Sequence, residues 1–132
     1  MKTLENIPNS DSISVKKDGK VNLMVKCAII KKDNLLIGFI PSLKLTARSL
    51  NGEVELHEHL DKIITSFFKH YNNISKLDKE LKRLGWKKEV SDRDLTDKEG
   101  VFLSPESVSM PYDLLNGEVT FEPEEKQLVL QS

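Results

Sequence analysis

The hydrophobic pattern of this chain changes period once, at Asn51-Gly52, and that change limits what it can fold into. Before it, apolar residues come in short runs with the spacing of strands; after it, they recur at three- and four-residue steps, as on one face of a helix. Val21 to Ile30 is rich in β-branched and apolar residues and ends at the turn formers Lys31-Lys32-Asp33-Asn34. Leu35 to Ile40 makes a second run, closed by Pro41-Ser42. A third, Leu43 to Arg48, alternates strictly, with Leu43, Leu45 and Ala47 expected on one side and Lys44, Thr46 and Arg48 on the other.

Past the change, Leu56, Leu60, Ile63, Ile64, Phe67 and Tyr71 form the stripe of one long amphipathic helix. Asn51 is the expected N-cap, and Glu53 and Glu55 complement the dipole at the helix start. A shorter helix capped by Ser75 carries Leu77, Leu81 and Leu84 on one side, stops at Gly85, and returns Trp86 to the core. The predicted fold class is α+β: a three-strand antiparallel meander packed under one long amphipathic helix, with a second short helix and a C-terminal β-hairpin.

The domain organisation follows from where this pattern begins and fades. Residues 1–20 mix Pro8, Gly19, serines and charges without periodicity and read as a flexible arm. Residues 21–88 are the α+β core. Residues 89–132 read as an acidic, largely irregular segment, turn-like from Ser91 to Gly100 and interrupted by prolines from Ser104 to Pro111. The exceptions are strands at 118–122 and 126–131, a terminal hairpin or an addition to the sheet.

With 132 residues, 38% of them hydrophobic and 31% charged, the chain is long enough for one core and too charged for a membrane protein. Met1 to Ser14 has no apolar export segment, so a soluble cytoplasmic protein is expected. The sole cysteine, Cys27, lies in the apolar run 25–30 and reads as a small buried hydrophobe. The net charge of −1 conceals an asymmetry. Residues 91–132 hold ten acids and three bases, a net of −7, whereas the seventeen bases and eleven acids before them give +6.

Few groups are arranged for chemistry. In His57-Glu58-His59 the two imidazoles diverge by about 200° around a helix; His57 and Asp61, at i and i+4, share a face. Two ligands fall short of the four of a structural zinc site, so no metal is assigned. Two-metal hydrolysis of the RNase H type would need a carboxylate on the first strand, and Val21 to Ile30 contains none. Phosphate loops, HExxH, CxxC and nucleophile elbows are lacking too, so neither an enzyme nor a cofactor is expected. Lys76, Lys79, Lys82, Arg83, Lys87 and Lys88 form a basic stretch around the second helix, diluted by Asp78, Glu80 and Glu89, and are the candidates for nucleic-acid binding.

The order of these features resembles the HicB-like antitoxins, over about half of the chain. The matching residues are Ile40-Pro41-Ser42-Leu43-Lys44-Leu45-Thr46, Asn51-Gly52, Glu53 and Glu55, Phe67-Phe68, and Leu84-Gly85-Trp86. Leu56 departs from the small residue usual on the first helical turn, and residues 91–132 lack the helical pair that would build an operator-binding appendage, so DNA binding is not expected. The resemblance implies a partly degenerate RNase H-like fold, dimeric through sheet edges or helix faces, that covers a small basic toxin which cleaves RNA. Acidic segments can occupy RNA-binding surfaces by substituting carboxylates for phosphates. Glu118, Glu122, Glu124 and Glu125 are therefore the candidate partner-binding residues. The alternatives are an RNA-binding module using the basic helix and an orphan accessory protein that kept the fold without a toxin.

Overall fold

The computed structural model describes residues 3–89, 99–111 and 118–130. In chain order the elements are β1 (Thr3–Pro8), β2 (Ser12–Val15), β3 (Lys20–Lys32), β4 (Leu35–Ile40), β5 (Leu45–Ser49), α1 (Glu53–His70), α2 (Ile74–Arg83), β6 (Lys87–Lys88), β7 (Gly100–Leu103), β8 (Ser107–Pro111) and β9 (Glu118–Val129). Among the described residues the fold is α+β, with two helices, a seven-stranded antiparallel sheet and a separate two-stranded ribbon.

The thirteen-residue β3 is the spine. β9 pairs antiparallel along one flank, from Lys20 opposite Val129 to Lys31 opposite Glu118. The other flank is shared: β2 pairs with residues 21–24 and β4 with residues 28–32. β5 continues the sheet beyond β4, and β7 then β6 continue it beyond β2.

Between β2 and β4, the backbone N–H of Lys26 meets no strand on that flank. Asp11 fills the gap: one carboxylate oxygen accepts from Lys26 N at 2.9 Å, and the other accepts from Ser42 Oγ at 2.5 Å. Asp11 is only 5% exposed and Ser42 2%, so each satisfies the other out of reach of bulk water. The same geometry explains Pro123 inside β9. Because Lys26 N–H points toward Asp11, the Lys26–Pro123 pair is a non-hydrogen-bonded one, and the proline's missing donor faces the open edge of the sheet.

Alternation along β3 and β4 sorts side chains onto two faces. Val21, Leu23, Val25, Cys27 and Ile29, with Leu36 and Ile40, share a core with the stripe of α1 (Leu56, Leu60, Ile64, Phe67, Phe68), with Leu77 and Leu81 of α2, and with Trp86. Gly38 lies on this face where α1 comes closest; a Cβ there would sit 3.0 Å from Leu60 Cδ1. Ala28, Ile30, Ile37 and Phe39 point the other way, onto Ile7, Val108 and Met110 of the separate β1–β8 ribbon.

α2 ends in a Schellman turn: Trp86 N donates to Leu81 O at 2.8 Å and Gly85 N to Lys82 O at 3.0 Å, with Gly85 at φ 93°. The turn swings Trp86 into the core, where its Nε1 donates to Ser42 O at 2.8 Å.

Several expectations are corrected. Residues 1–20 are not simply an arm: β2 alternates buried Ile13 and Val15 with Ser12 and Ser14, and β1 finds its partner about a hundred positions away in β8. The sheet is wider than three strands, since β7 joins it from a stretch read as irregular. The terminal segment is one continuous strand, because Pro123 removes only an outward donor and does not break the pairing. Leu43 is buried but precedes β5 in a turn, where Lys44 takes φ 54°. Gly52 occupies the N-cap of α1 with no side-chain cap; Asn51 instead donates from Nδ2 to Glu55 Oε2 at 2.7 Å. Asn73, not Ser75, caps α2, its Oδ1 accepting from Lys76 N at 2.9 Å. The turn-like reading of Ser91 to Gly100 falls on residues 91–98, outside those described.

Candidate functional site

The acidic C-terminal strand meets helix α1 along a seam of charged side chains. On α1, His57 and Asp61 are one turn apart, about 6 Å along the axis. On β9, Glu122, Glu124 and Lys126 share the helix-facing side at intervals of about 6.8 Å. These repeats nearly match, so two rungs form: His57 Nδ1 lies 2.8 Å from Glu124 Oε1, and Lys126 Nζ is paired with Asp61. A two-residue slip of β9 would set either Glu124 against Asp61, or Leu128 against Asp61 and Lys126 against His57, so the charge order opposes misregistration.

Glu122 extends the seam by one position. His57, Glu122 and Glu124 each offer a ligand atom, and the three atoms lie within 4.8 Å of one another. Burial holds the Glu124 carboxyl above the ordinary glutamate range; His57 pulls it back, while Glu122 and Asp61 add to the rise. Beneath the strand, Cys27 is fully buried, and burial with the Glu124 and Glu122 charges pushes its thiol up to about 12. It is a packed hydrophobe, in keeping with the sequence reading, and no nucleophile at neutral pH.

The other sequence-predicted partner residues divide between the faces of β9. Glu118 is exposed opposite Lys31, while Glu125 points to the reverse face beside Ser12, Asn22 and Met24. Phe121 also lies on that reverse face, 45% exposed, with Lys26 Nζ 5.9 Å above its ring. Thus Glu122 and Glu124 meet His57 at one place, and Glu118 and Glu125 do not join them.

No family model, curated protein or solved structure matches the chain.

The basic candidates are mostly exposed but not all free. Lys82 Nζ lies 3.2 Å from Asp78, and Arg83 pairs with Glu80. Glu80 also takes the Tyr71 hydroxyl, and its carboxyl is held below the ordinary range, first by Arg83. Lys76, Lys79 and Lys87 remain exposed, and Lys88 is half-buried. His59, the other imidazole of the triplet, turns away to Arg48, its Nδ1 lying 2.7 Å from the carbonyl oxygen.

Sequence reasoning placed His57 and Asp61 on one helix face and named Glu122 and Glu124 as acidic candidates, but it left Glu124 in the break between two short strands. It missed that Glu122, Glu124 and Lys126 share one face of a continuous strand and that this face meets the helix. The signal was the opposite charge order at i, i+4 on the helix and i, i+2 on the strand, which becomes informative only once β9 is known to lie along β3. Among the described residues no helix is long and apolar enough to cross a membrane.

Proposed function

We propose that this chain is a non-catalytic regulatory binding protein of HicB-like type, which neutralises a small basic RNA-cleaving protein through its acidic outer strand. The observation that carries the reading is the placement of the acidic segment. β9 forms an edge of the sheet, unpaired on its outer flank among the described residues, and displays Glu118, Glu122, Glu124 and Glu125 along that edge. Phe121 and Val129 are exposed on the same strand and offer apolar anchors between the charges. A basic surface shaped for phosphates is complementary to such an edge, and carboxylates steer it electrostatically. Support for the family part of the reading is the succession β3, β4, β5, α1, the order of strands and helix that the resemblance calls for.

A homodimer belongs to the same reading, but not one built on β9. Pro123 removes an outward donor at the middle of that edge, and two antiparallel copies would oppose carboxylates to carboxylates. The cytoplasm, where messenger RNA is exposed, is the compartment that the reading requires. RNA binding by the α2 surface is weaker, because Asp78 and Glu80 already engage Lys82 and Arg83.

The test is capture from the native cell by the full chain and by a variant with Glu118, Glu122, Glu124 and Glu125 all changed to Gln. The reading predicts that the parent chain retains a small, strongly basic protein encoded beside it and that the variant loses it. Retention by both chains, or no basic protein at low salt, would overturn it.

A further inference from the structure

We propose that His57, Glu122 and Glu124 form a binding site for a divalent cation of the zinc type, which clips the terminal strand β9 to helix α1. The inference is independent of any protein partner and rests on geometry. Zinc holds imidazole nitrogen and carboxylate oxygen at about 2.0–2.2 Å, which sets ligand atoms around one ion about 3–4 Å apart. Here the three ligand atoms lie within 4.8 Å of one another, and the tightest named pair, His57 Nδ1 to Glu124 Oε1, is 2.8 Å. That pair must open slightly while Glu122 swings in. Glu122 is exposed and forms no ion pair among the described residues, so a rotation about its side-chain bonds is enough.

The charge balance of the seam favours such an ion. Glu122, Glu124 and Asp61 bring three carboxylates to one strip, and Lys126 on the same strand is committed to Asp61. His57 faces Glu124, and Glu122 has no ion-pair partner among the described residues. A divalent cation between the three groups would replace repulsion between Glu122 and Glu124 with shared coordination. It would also reinforce a constraint that two partly exposed pairs supply, the register of β9 against α1.

The donor set indicates the kind of metal. One imidazole and two carboxylates suit zinc, cobalt or nickel, whereas magnesium and calcium seek shells of oxygen. The site draws two ligands from a strand at i and i+2 and the third from a helix packed across it, so it exists only when β9 is docked. Binding the ion therefore stabilises the folded arrangement by linkage.

The experiment uses the full chain stripped of metal with a chelator. Zn²⁺ alone is titrated by calorimetry, and Co²⁺ by visible absorption. The proposal predicts one equivalent of Zn²⁺ with a rise in melting temperature, d–d bands from bound Co²⁺, and no thermal shift with the same concentration of Mg²⁺ or Ca²⁺. His57→Ala, Glu122→Gln and Glu124→Gln should each weaken Zn²⁺ binding by about tenfold or more, on the scale of lost groups around a metal. His59→Ala should leave it unchanged. Glu122→Gln breaks no ion pair and, checked by circular dichroism, separates loss of the site from loss of the fold. Absence of stoichiometric binding, binding that survives both Glu122→Gln and His57→Ala, or an equal response to Mg²⁺ would overturn the assignment.

Discussion

Replacing Asp11 by Ala should be among the most damaging single changes in this protein, although Asp11 is a polar residue outside the apolar clusters. Its carboxylate joins three chain segments: it accepts from Lys26 N at 2.9 Å where β2 gives way to β4, and from Ser42 Oγ at 2.5 Å in the turn before β5, while its own N–H is 3.0 Å from Ser104 Oγ. Alanine leaves the Lys26 N–H and the Ser42 hydroxyl without partners inside the protein. Each buried polar group stranded in this way costs about 1–3 kcal/mol, so the expected loss is about 3–5 kcal/mol. Asparagine keeps an acceptor for Lys26 and can donate to Ser42, so Asp11→Asn should cost only about 1–2 kcal/mol, and Ser42→Ala about as much. Urea unfolding reads the difference directly. With a slope of about 1.5 kcal/mol/M, a 4 kcal/mol loss moves the midpoint by about 2.5 M. The reasoning is refuted if Asp11→Ala lowers stability by less than about 1 kcal/mol, or if Asn and Ala cost the same.

Three further outcomes follow from the packing and the charged seam. Gly38→Ala places a methyl 3.0–3.3 Å from three atoms of the buried Leu60 side chain and should cost about 1–2 kcal/mol in urea unfolding; an unchanged midpoint would show that α1 gives way easily. Glu124 has a folded pKa raised above its ordinary 4.5, so the folded state holds more protons than the unfolded one just above that pH, and this contribution to stability is lost as pH rises through the folded pKa. The stability difference between the parent chain and Glu124→Gln should therefore shift against the parent as pH climbs from 4.5; a pH-independent difference would contradict the assignment. Cys27 should resist iodoacetamide in the native protein and react at the rate of unfolding, and rapid native labelling would place its thiol nearer the surface than the fold does.

The parts of the fold that were legible in the sequence are those whose signal is local. The stripe of α1 was readable because Leu56, Leu60, Ile64 and Phe67 repeat with the helix, and β3 and β4 because their runs are apolar and bounded by turn formers. Phe68 was not placed on the stripe, yet it is 2% exposed, because the core wraps far enough around the end of α1 to take both aromatic rings. β1, β7 and β8 gave little local signal: their stability depends on pairings that span most of the chain, and prolines at Pro8, Pro105 and Pro111 mark their surroundings as loops. The caps were misplaced for a related reason. Asn51 and Ser75 have suitable side chains, but Asn51 is drawn to Glu55, and α2 begins two residues earlier than its apolar spacing suggests.

The seam was half legible. His57 and Asp61 were visible as a helix face, and the acidic excess marked the C-terminal segment as unusual, but Glu124 fell in the break between two short strands. Their meeting depends on the register of β9 against β3, which one proline seemed to forbid. The pairing at Lys26 and Pro123 resolves that conflict, because the donor a proline lacks is one the ladder does not use. The consequence for function is that the acidic residues lie on a fixed edge instead of a free tail, and a fixed edge presents its carboxylates at strand spacing.

The central claim, that this edge neutralises a basic RNA-cleaving partner, is tested most directly by taking the small basic protein that the proposal expects to be encoded beside this chain and titrating its RNA cleavage with the purified chain. The account predicts that cleavage stops near one equivalent. Inhibition should weaken as salt rises, and the variant with Glu118, Glu122, Glu124 and Glu125 all changed to Gln should need a large excess. Cleavage that persists in excess chain, or that the variant stops equally well, would contradict it.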